Sequence, residues 1–216
     1  MGIDLKKGSI SLKKGEAISL RKPEIVGNDI VFGTTGFNGM LRLGLGWDPI
    51  TASSSGGFLG FFKSLTSNDI DCDSFAIMLD SNSKYQECVY FGHMTNQNNS
   101  VRLLGDNLTG EGEGDDETIL IDLSKVPSNK VLVGMNIYRG RERGQSLGSL
   151  KNAYIHLTDD STGIEIAHYN ITPDDGKALG LKFIELFRGN DNMWYCNTLS
   201  EKIYVGSISD IVDEYK

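Results

Sequence analysis

Short runs of apolar residues, many with polar residues at alternate positions, recur along most of this 216-residue chain. A period of two is typical of β-strands that bury one face. Gly, Asn, Asp and Ser separate the runs, and these residues favour turns. The pattern therefore predicts a β-sandwich or β-barrel built from many short strands. The predicted strands lie at 41–45, 75–79, 88–92, 100–104, 118–123, 131–138, 153–158, 163–169, 183–187 and 193–197.

Helical patterns are few. One turn is predicted at 146–151, and a short C-terminal helix at 207–215 with Ser207 or Ser209 as its N-cap. The opening segments LKKGSISL (5–12) and LKKGEAISL (12–20) predict a hairpin of two short strands. No change in composition marks a boundary, so we expect one domain over 1–216.

One segment departs from the strand pattern. Residues 51–68 combine a Ser/Gly-rich start with five large apolar residues: Phe58, Leu59, Phe61, Phe62 and Leu65. We interpret the segment as an insertion that folds back onto the sandwich or forms an extra hairpin or helix. The alternative is an apolar loop that contacts a partner or a membrane surface.

Charge and cysteine content narrow the functional classes. The net charge of −8 argues against a nucleic-acid partner, which would need clustered Lys and Arg. Three cysteines without CxxC spacing indicate a reduced, cytoplasmic protein. The three histidines lie far apart in sequence, which argues against a zinc site. No secretory signal or membrane-spanning run is visible, so attachment to the inner face of the membrane would be peripheral.

Two acidic segments contain the candidate chemistry. In the first, Asp69, Asp71 and Asp73 would share one face of an extended segment, where neighbouring carboxylates repel by about 4 kcal/mol at ~4 Å. The second, residues 106–117, has six acidic side chains, no basic one, and glycine at every second position of 110–114. Many hard oxygen donors without His or Cys favour Ca²⁺.

Neither segment fits an EF-hand. The first lacks glycine at the sixth position of the loop and continues into the strand-like run 75–79. The second has Leu108 and Gly110 at liganding positions and continues into TILIDL, another strand pattern. The basic segment 139–143 is interpreted as a turn whose arginines neutralise nearby acids, the alternative being an anion site.

The chain resembles the TerD family, which is linked to tellurite resistance and general stress responses. The resemblance rests on five segments in the family's order: LGLGWD (43–48), DIDCDS (69–74), GDNLTGEGEGDDE (105–117), RGQSLGSLKNAYIHL (143–157) and TGIEIAHY (162–169). It implies an all-β fold, a β-sandwich of two antiparallel sheets with a few short helices. It also implies a calcium site formed by the two acidic loops.

The predicted site follows from carrying the family's motifs onto this chain. We expect two Ca²⁺ ions, with Asp48 and the carbonyls around 110–112 as supplementary groups. The predicted ligands are Asp69, Asp71, Asp73, Asp106, Asn107, Gly112, Glu113, Asp115, Asp116 and Glu117.

The leading functional hypothesis is a calcium-binding accessory or scaffold protein of a bacterial stress or phage-defence system. Its expected partners are proteins of a stress-response complex, with no nucleic acid and no small-molecule substrate. An enzyme is not expected, because neither acidic segment contains a histidine and no nucleophile–base pair is visible. The alternatives are a metal-dependent hydrolase that uses the same carboxylates, and a peripheral membrane module.

Overall fold

The computed structural model describes residues 37–49 and 69–216, together with the backbone of three short strands within 17–31. Most of the described chain forms strands in two antiparallel sheets, with only short helices. This confirms the predicted fold class. The insertion at 51–68 lies outside the described residues, as does the opening hairpin at 5–20 apart from residues 17–18.

Each of the ten strands predicted between residues 41 and 197 overlaps an observed one. In chain order the strands are β1 Ala17–Ile18, β2 Glu24–Val26, β3 Asp29–Val31, β4 Met40–Asp48, β5 Cys72–Leu79, β6 Tyr85–Val89, β7 Val101–Leu103, β8 Glu117–Asp122, β9 Lys130–Ile137, β10 Lys151–Asp159, β11 Ile164–Asn170, β12 Gly180–Arg188 and β13 Trp194–Ile203. The larger sheet has the order β1-β13-β12-β9-β5-β6, and the second has the order β11-β10-β4-β8-β7. Strands β2 and β3 pair with each other.

The helices are short, as predicted. Helix α1 spans Gly140–Arg143 and helix α2 spans Ile208–Asp213, while 3₁₀ turns span Leu147–Ser149 and Pro173–Asp175. The side chain of Ser207 accepts a hydrogen bond from the backbone N–H of Asp210, so Ser207 is the N-cap of α2.

The core lies between the two sheets and follows the alternation of the strands. On the five-stranded sheet, β4 contributes Leu41, Leu43 and Leu45, all fully buried. The facing six-stranded sheet contributes buried apolar side chains from β5, β9 and β12. Because successive strand residues point to opposite faces, this alternation places one apolar face of each sheet inside the sandwich.

Strand β5 is buried along its whole length. Ala76 and Met78 belong to the core between the sheets, whereas Phe75 and Ile77 belong to a second apolar cluster that includes the buried residues of α2. The C-terminal helix therefore covers the outer face of the larger sheet beside β5. This explains why the run 75–79 is apolar at every position.

One predicted strand, 88–92, has the wrong boundaries. The run 88–92 predicted a strand, but β6 ends at Val89 and a turn follows, closed by backbone hydrogen bonds between Tyr90 and His93. The first residues of β6, including Tyr85 and Gln86, are exposed. Because β6 is an edge strand, its first half lacks the apolar pattern that marks a buried strand.

Two further properties bear on function. The three cysteines, Cys72, Cys88 and Cys196, are buried free thiols. Among the described residues, no helix is long and apolar enough to cross a membrane.

Candidate metal centre

Acidic side chains from both sheets meet at one end of the sandwich. Asp71 directly precedes β5, Asp73 lies in β5, and Asp106 belongs to the loop between β7 and β8. One carboxylate oxygen of each of these three residues lies within 4.8 Å of the others. Glu117 opens β8 and approaches β5 through Ser74. We refer to Asp71, Asp73, Asp106 and Glu117 as the acidic centre.

Glu117 links the two sheets within this centre. Its Oε2 atom accepts hydrogen bonds from the backbone N–H and the hydroxyl of Ser74, both at 2.6 Å. Its side chain is only 1% exposed. Two of the buried carboxylate oxygens, Oε1 of Glu117 and Oδ1 of Asp71, have no hydrogen-bond partner in the described part of the chain. Buried polar atoms are nearly always paired, so these two oxygens indicate a missing partner.

The electrostatics of the centre are unfavourable for three ionised groups. Burial, reinforced by the neighbouring carboxylates, raises the pKa of Asp73 to about 9 and that of Asp71 to about 6. Burial likewise raises the pKa of Glu117 to about 7, although the hydrogen bonds from Ser74 oppose the shift. Arg143 lowers the pKa of both aspartates but does not offset the other effects. A proton or a cation is therefore needed to stabilise the centre.

The donor atoms determine which cation would fit. The acidic centre offers carboxylate oxygens, without nitrogen or sulfur among the clustered ligand atoms. Hard oxygen donors suit Ca²⁺ or Mg²⁺, and Ca²⁺ accepts more protein ligands. The two unpaired oxygens and the raised pKa values show that these residues fit a hard divalent cation.

The loop 104–116 is closed by Asn107. The Oδ1 atom of Asn107 accepts from the N–H groups of Thr109 and Gly110, both at 3.1 Å. Its Nδ2 atom donates to Oδ1 of Asp116 at 2.8 Å. The other carboxylate oxygen of Asp116 accepts from the backbone N–H of Trp47 in β4 at 2.9 Å. Asn107 and Asp116, both predicted ligands, thus hold the loop against β4.

Other predicted ligands lie outside the cluster. Asp69 is absent from the clustered ligand atoms, and its backbone carbonyl accepts a hydrogen bond from Gln145 at 3.1 Å. Gly112 and Glu113 are exposed at the tip of the loop. Asp48 is exposed and accepts from Nδ2 of Asn152 at 2.6 Å. The structure thus brings together four of the ten predicted residues.

Asp115 is directed to a different set of partners. Its Oδ1 atom lies 2.9 Å from Nε2 of His156 and 3.2 Å from the hydroxyl of Tyr154. Burial alone would raise the pKa of Asp115, but these hydrogen bonds lower it. The acidic loop therefore contacts a histidine in space although the segment itself contains none.

Two supporting residues were not among the predicted ligands. Ser74 is the last residue of the DIDCDS segment, so it belongs to a motif that the sequence analysis had identified. Its hydroxyl donates a hydrogen bond to Glu117. Arg143, in the basic segment, lowers the pKa values of Asp71 and Asp73, which agrees with the interpretation that this segment neutralises nearby acids. Arg139 instead pairs with Glu142 at 2.6 Å.

A cleft of about 660 Å³ opens beside the centre. Asp73 forms part of its wall, together with Tyr90 and Tyr138. Arg141 and residues at the start of α2 line the same cleft. The cleft leads from the surface toward the buried end of β5.

Comparisons with known proteins agree with the motifs and the fold. The family model described as the TerD domain matches residues 8–215. Stress response protein SCP2 of Bacillus subtilis is 37% identical over 215 residues, covering 96% of this chain and 99% of the relative. Tellurium resistance protein TerD of Serratia marcescens is 31% identical over 212 residues, covering 96% and 97% of the two chains.

A solved structure shares the fold. The crystal structure of a homologue of telluride resistance protein (TerD) from Streptomyces coelicolor aligns with a TM-score of 0.68 at 14% identity. The alignment covers 82% of this chain and 98% of the homologue. With the family match over almost the whole sequence, the chain belongs to the TerD domain family.

Proposed function

We propose that this protein is a calcium-binding accessory or scaffold protein of a bacterial stress response, and that Ca²⁺ binds at the acidic centre. The proposal depends chiefly on two buried carboxylate oxygens, Oδ1 of Asp71 and Oε1 of Glu117, that lack partners in the described residues. A divalent cation would pair both atoms and remove the repulsion among the carboxylates. Asp71, Asp73, Asp106 and Glu117 would hold it.

Ion binding would couple the loop 104–116 to β5. Asp106 is exposed and belongs to the loop, whereas Asp73 is buried in the larger sheet. A cation held by both would tie the loop to the sheet and stabilise the folded state. At a hundredfold excess of ion over Kd the stabilisation is about 2.7 kcal/mol. The ordered loop could then present a defined surface to a protein partner.

Binding rather than catalysis is the proposed role. The hydroxyl of Ser74 donates to Glu117, but both residues are only 1% exposed, so a substrate could not reach this pair. The net charge of −8 favours a partner that is not a nucleic acid. The stress-related names of the relatives support a role in the same response.

Calorimetry and thermal unfolding of the EDTA-treated protein test the proposal. We expect saturable Ca²⁺ binding, much weaker Mg²⁺ binding, and an increase in Tm of about 5–10 °C at a hundredfold excess of Ca²⁺. The number of Ca²⁺ ions bound per chain would also test the prediction of two ions, because the acidic centre is a single cluster and by itself accounts for one. If neither ion binds and Tm does not move, the calcium proposal is wrong.

The cellular role requires a separate test. A strain that lacks the gene would be complemented with the unchanged protein or with Asp73→Asn, and its growth measured in tellurite. We expect the unchanged protein alone to restore tolerance. Equal rescue by both proteins would mean that calcium at this centre is not needed for the response.

A further inference from the structure

Two histidines that are twelve positions apart in sequence face each other on the five-stranded sheet. His156 in β10 and His168 in β11 are direct cross-strand partners. Glu165 joins them because the pairing shifts by one residue: Leu157 pairs with Ala167, but Thr158 pairs with Glu165. This β-bulge reverses the alternation, so Glu165 and His168 share a face despite their odd spacing. We call His156, Glu165 and His168 the histidine face.

The side chains of the histidine face are already close enough to share an ion. The Oε2 atom of Glu165 lies 2.9 Å from Nδ1 of His156 and 3.1 Å from Nδ1 of His168. One ligand atom from each residue lies within 4.8 Å of the other two. Ligand atoms on a tetrahedral zinc ion with bonds of ~2.0 Å are roughly 3.3 Å apart. The two measured contacts are slightly shorter than this separation, so a small outward movement of the rings would admit an ion.

The outer nitrogens contact oxygens that can hold the rings when a metal is bound. Nε2 of His156 lies 2.9 Å from Oδ1 of Asp115, and Nε2 of His168 lies 3.0 Å from Oδ1 of Asn170. When each Nε2–H donates to its oxygen, the lone pair on Nδ1 is available to an ion. Glu165 is an acceptor as well, so without a metal its contacts with the two Nδ1 atoms need protons on those nitrogens. A divalent cation would replace these protons.

We propose that the histidine face binds a divalent transition-metal ion of the zinc class. The ligands are Nδ1 of His156, Nδ1 of His168 and the carboxylate of Glu165, with solvent completing the shell. Imidazole nitrogens suit Zn²⁺ and Co²⁺ far better than Ca²⁺. Asp115 and Asn170 orient the rings through their outer nitrogens, an arrangement typical of histidine metal ligands. This site is separate from the acidic centre.

Neighbouring residues hold the rings in place. The ring of Tyr154 stacks on His168 with a centroid distance of 5.6 Å and an interplanar angle of 16°. Gly44, the cross-strand partner of His156 in β4, leaves the space that the ring and Asp115 occupy, because a Cβ there would collide with both. The three ligand side chains are between 17% and 26% exposed, so solvent can reach them.

Zinc calorimetry and cobalt absorption test the proposal. The full chain would first be saturated with Ca²⁺, so that the acidic centre does not take up the added metal. We expect one Zn²⁺ per chain, and visible d–d absorption when Co²⁺ is added instead. His168→Gln and Glu165→Gln should each weaken Zn²⁺ binding at least about 100-fold, because even outer partners of zinc ligands contribute 10–100-fold.

The third histidine provides the control. His93 also contacts a glutamate, Glu87, at 2.9 Å, but within the described residues it belongs to no group of three ligands. His93→Gln should leave Zn²⁺ binding and the cobalt spectrum unchanged. If His168→Gln binds Zn²⁺ as tightly as the unchanged protein, the histidine face is not a metal site.

A second measurement separates the metal from two protonated rings. ¹⁵N NMR of the histidine side chains would follow both rings between pH 5 and 8, with and without Zn²⁺. We expect Zn²⁺ to shift Nδ1 of His156 and His168 but neither nitrogen of His93. The proposal would be wrong if both rings are doubly protonated at pH 8 and their ¹⁵N shifts do not change when Zn²⁺ is added. The Asp73→Asn variant should still bind Zn²⁺, because Asp73 is not part of the histidine face. Failure of the calcium proposal can therefore be distinguished from failure of the zinc proposal.

Discussion

The acidic centre and the histidine face both involve the segment 106–117, one through ligand carboxylates and the other through the contact of Asp115 with His156, but they differ in burial and in donor atoms. Asp106 and Glu117, at the two ends of the loop, belong to the acidic centre, whereas Asp115 contacts His156. The acidic centre contains oxygen donors only. The histidine face combines two nitrogens with one carboxylate. The difference favours a hard cation at the first and a zinc-class ion at the second.

Burial makes the two regions unequal in their effect on folding. Asp73 and Glu117 are 3% and 1% exposed, so their ionisation without a cation opposes folding. The side chains of the histidine face remain partly exposed, and solvent can stabilise their charges. We therefore expect loss of metal from the acidic centre to change stability more than loss of metal from the histidine face.

Asp73→Asn should give the largest effect. The change removes a ligand at the middle of the acidic centre, so Ca²⁺ affinity should fall at least about 100-fold, or about 2.7 kcal/mol. It also removes a carboxylate that repels Asp71 and Glu117, so the metal-free protein should be as stable as the unchanged one or more so. Calorimetry and thermal unfolding with and without Ca²⁺ measure both effects.

Asp69→Asn is the matched control for this experiment. Asp69 lies two residues before Asp71 but is absent from the clustered ligand atoms. Its substitution removes the same charge and should leave Ca²⁺ affinity nearly unchanged. An equal loss in the two variants would contradict the assignment of Asp73 as a ligand in preference to Asp69.

The pH dependence of the metal-free protein should be the next largest effect. The pKa values of Asp73, Glu117 and Asp71 are raised to about 9, 7 and 6 in the folded protein. The folded state then binds more protons than the unfolded state between about pH 4 and 9, so stability decreases as pH rises through this window. Tm measured in EDTA should fall from pH 5 to pH 8.

Calcium should reverse this trend. Because Ca²⁺ replaces the protons, the stabilisation by Ca²⁺ should increase from pH 5 to pH 8. Asp73→Asn in EDTA should show a shallower dependence on pH, since the group with the largest shift is gone. If Tm in EDTA is flat or rises over this range, the carboxyls are not buried as described.

The positions of most strands could be predicted from the sequence, but their pairing could not. The alternation at 118–123 and the apolar run at 131–138 correspond to β8 and β9 because these strands bury apolar side chains. The exposed first half of β6 has no such pattern, so its start could not be predicted. The pairing of β5 with β9 joins distant segments, and such register depends on packing rather than on local composition.

The acidic centre and the histidine face differ in how far the sequence alone could predict them. The acidic segments are local motifs, so Asp71, Asp73, Asp106 and Glu117 could be predicted as ligands. The sequence could not show which of the ten predicted ligands lie together. The histidine face depends on a cross-strand pair and a bulge, neither of which has a local signature. The separation of the histidines in sequence argued against a zinc site, whereas the fold places two of them side by side.

Asp115→Asn separates the two regions and should have an intermediate effect. Asp115 contacts His156, so its substitution should weaken Zn²⁺ binding about 10–100-fold as an outer partner. Ca²⁺ affinity should stay close to that of the unchanged protein. Glu113→Gln, an exposed acid of the same loop, controls for the lost charge. A selective loss of Ca²⁺ affinity would instead make Asp115 a ligand of the acidic centre.

Ser74→Ala should have the smallest effect and tests how the sheets are joined. The hydroxyl of Ser74 donates to Oε2 of Glu117 at 2.6 Å, while the backbone N–H of the same residue keeps a second hydrogen bond. Losing one of two bonds should reduce the free energy of unfolding by about 1 kcal/mol, measured by urea denaturation in Ca²⁺.

The control is Ser124→Ala, because Ser124 also donates to a carboxylate at 2.6 Å, that of Asp122, but is exposed. Its substitution should change the free energy of unfolding by less than about 0.5 kcal/mol, the usual range for surface positions. Both variants lose one hydrogen bond of 2.6 Å to a carboxylate, but the bond of Ser74 is buried and joins two strands, whereas that of Ser124 is exposed and local. Equal losses would mean that burial of Glu117 does not strengthen its bond to the hydroxyl of Ser74, and the junction between β5 and β8 would then depend on the backbone hydrogen bond of Ser74 and on apolar packing.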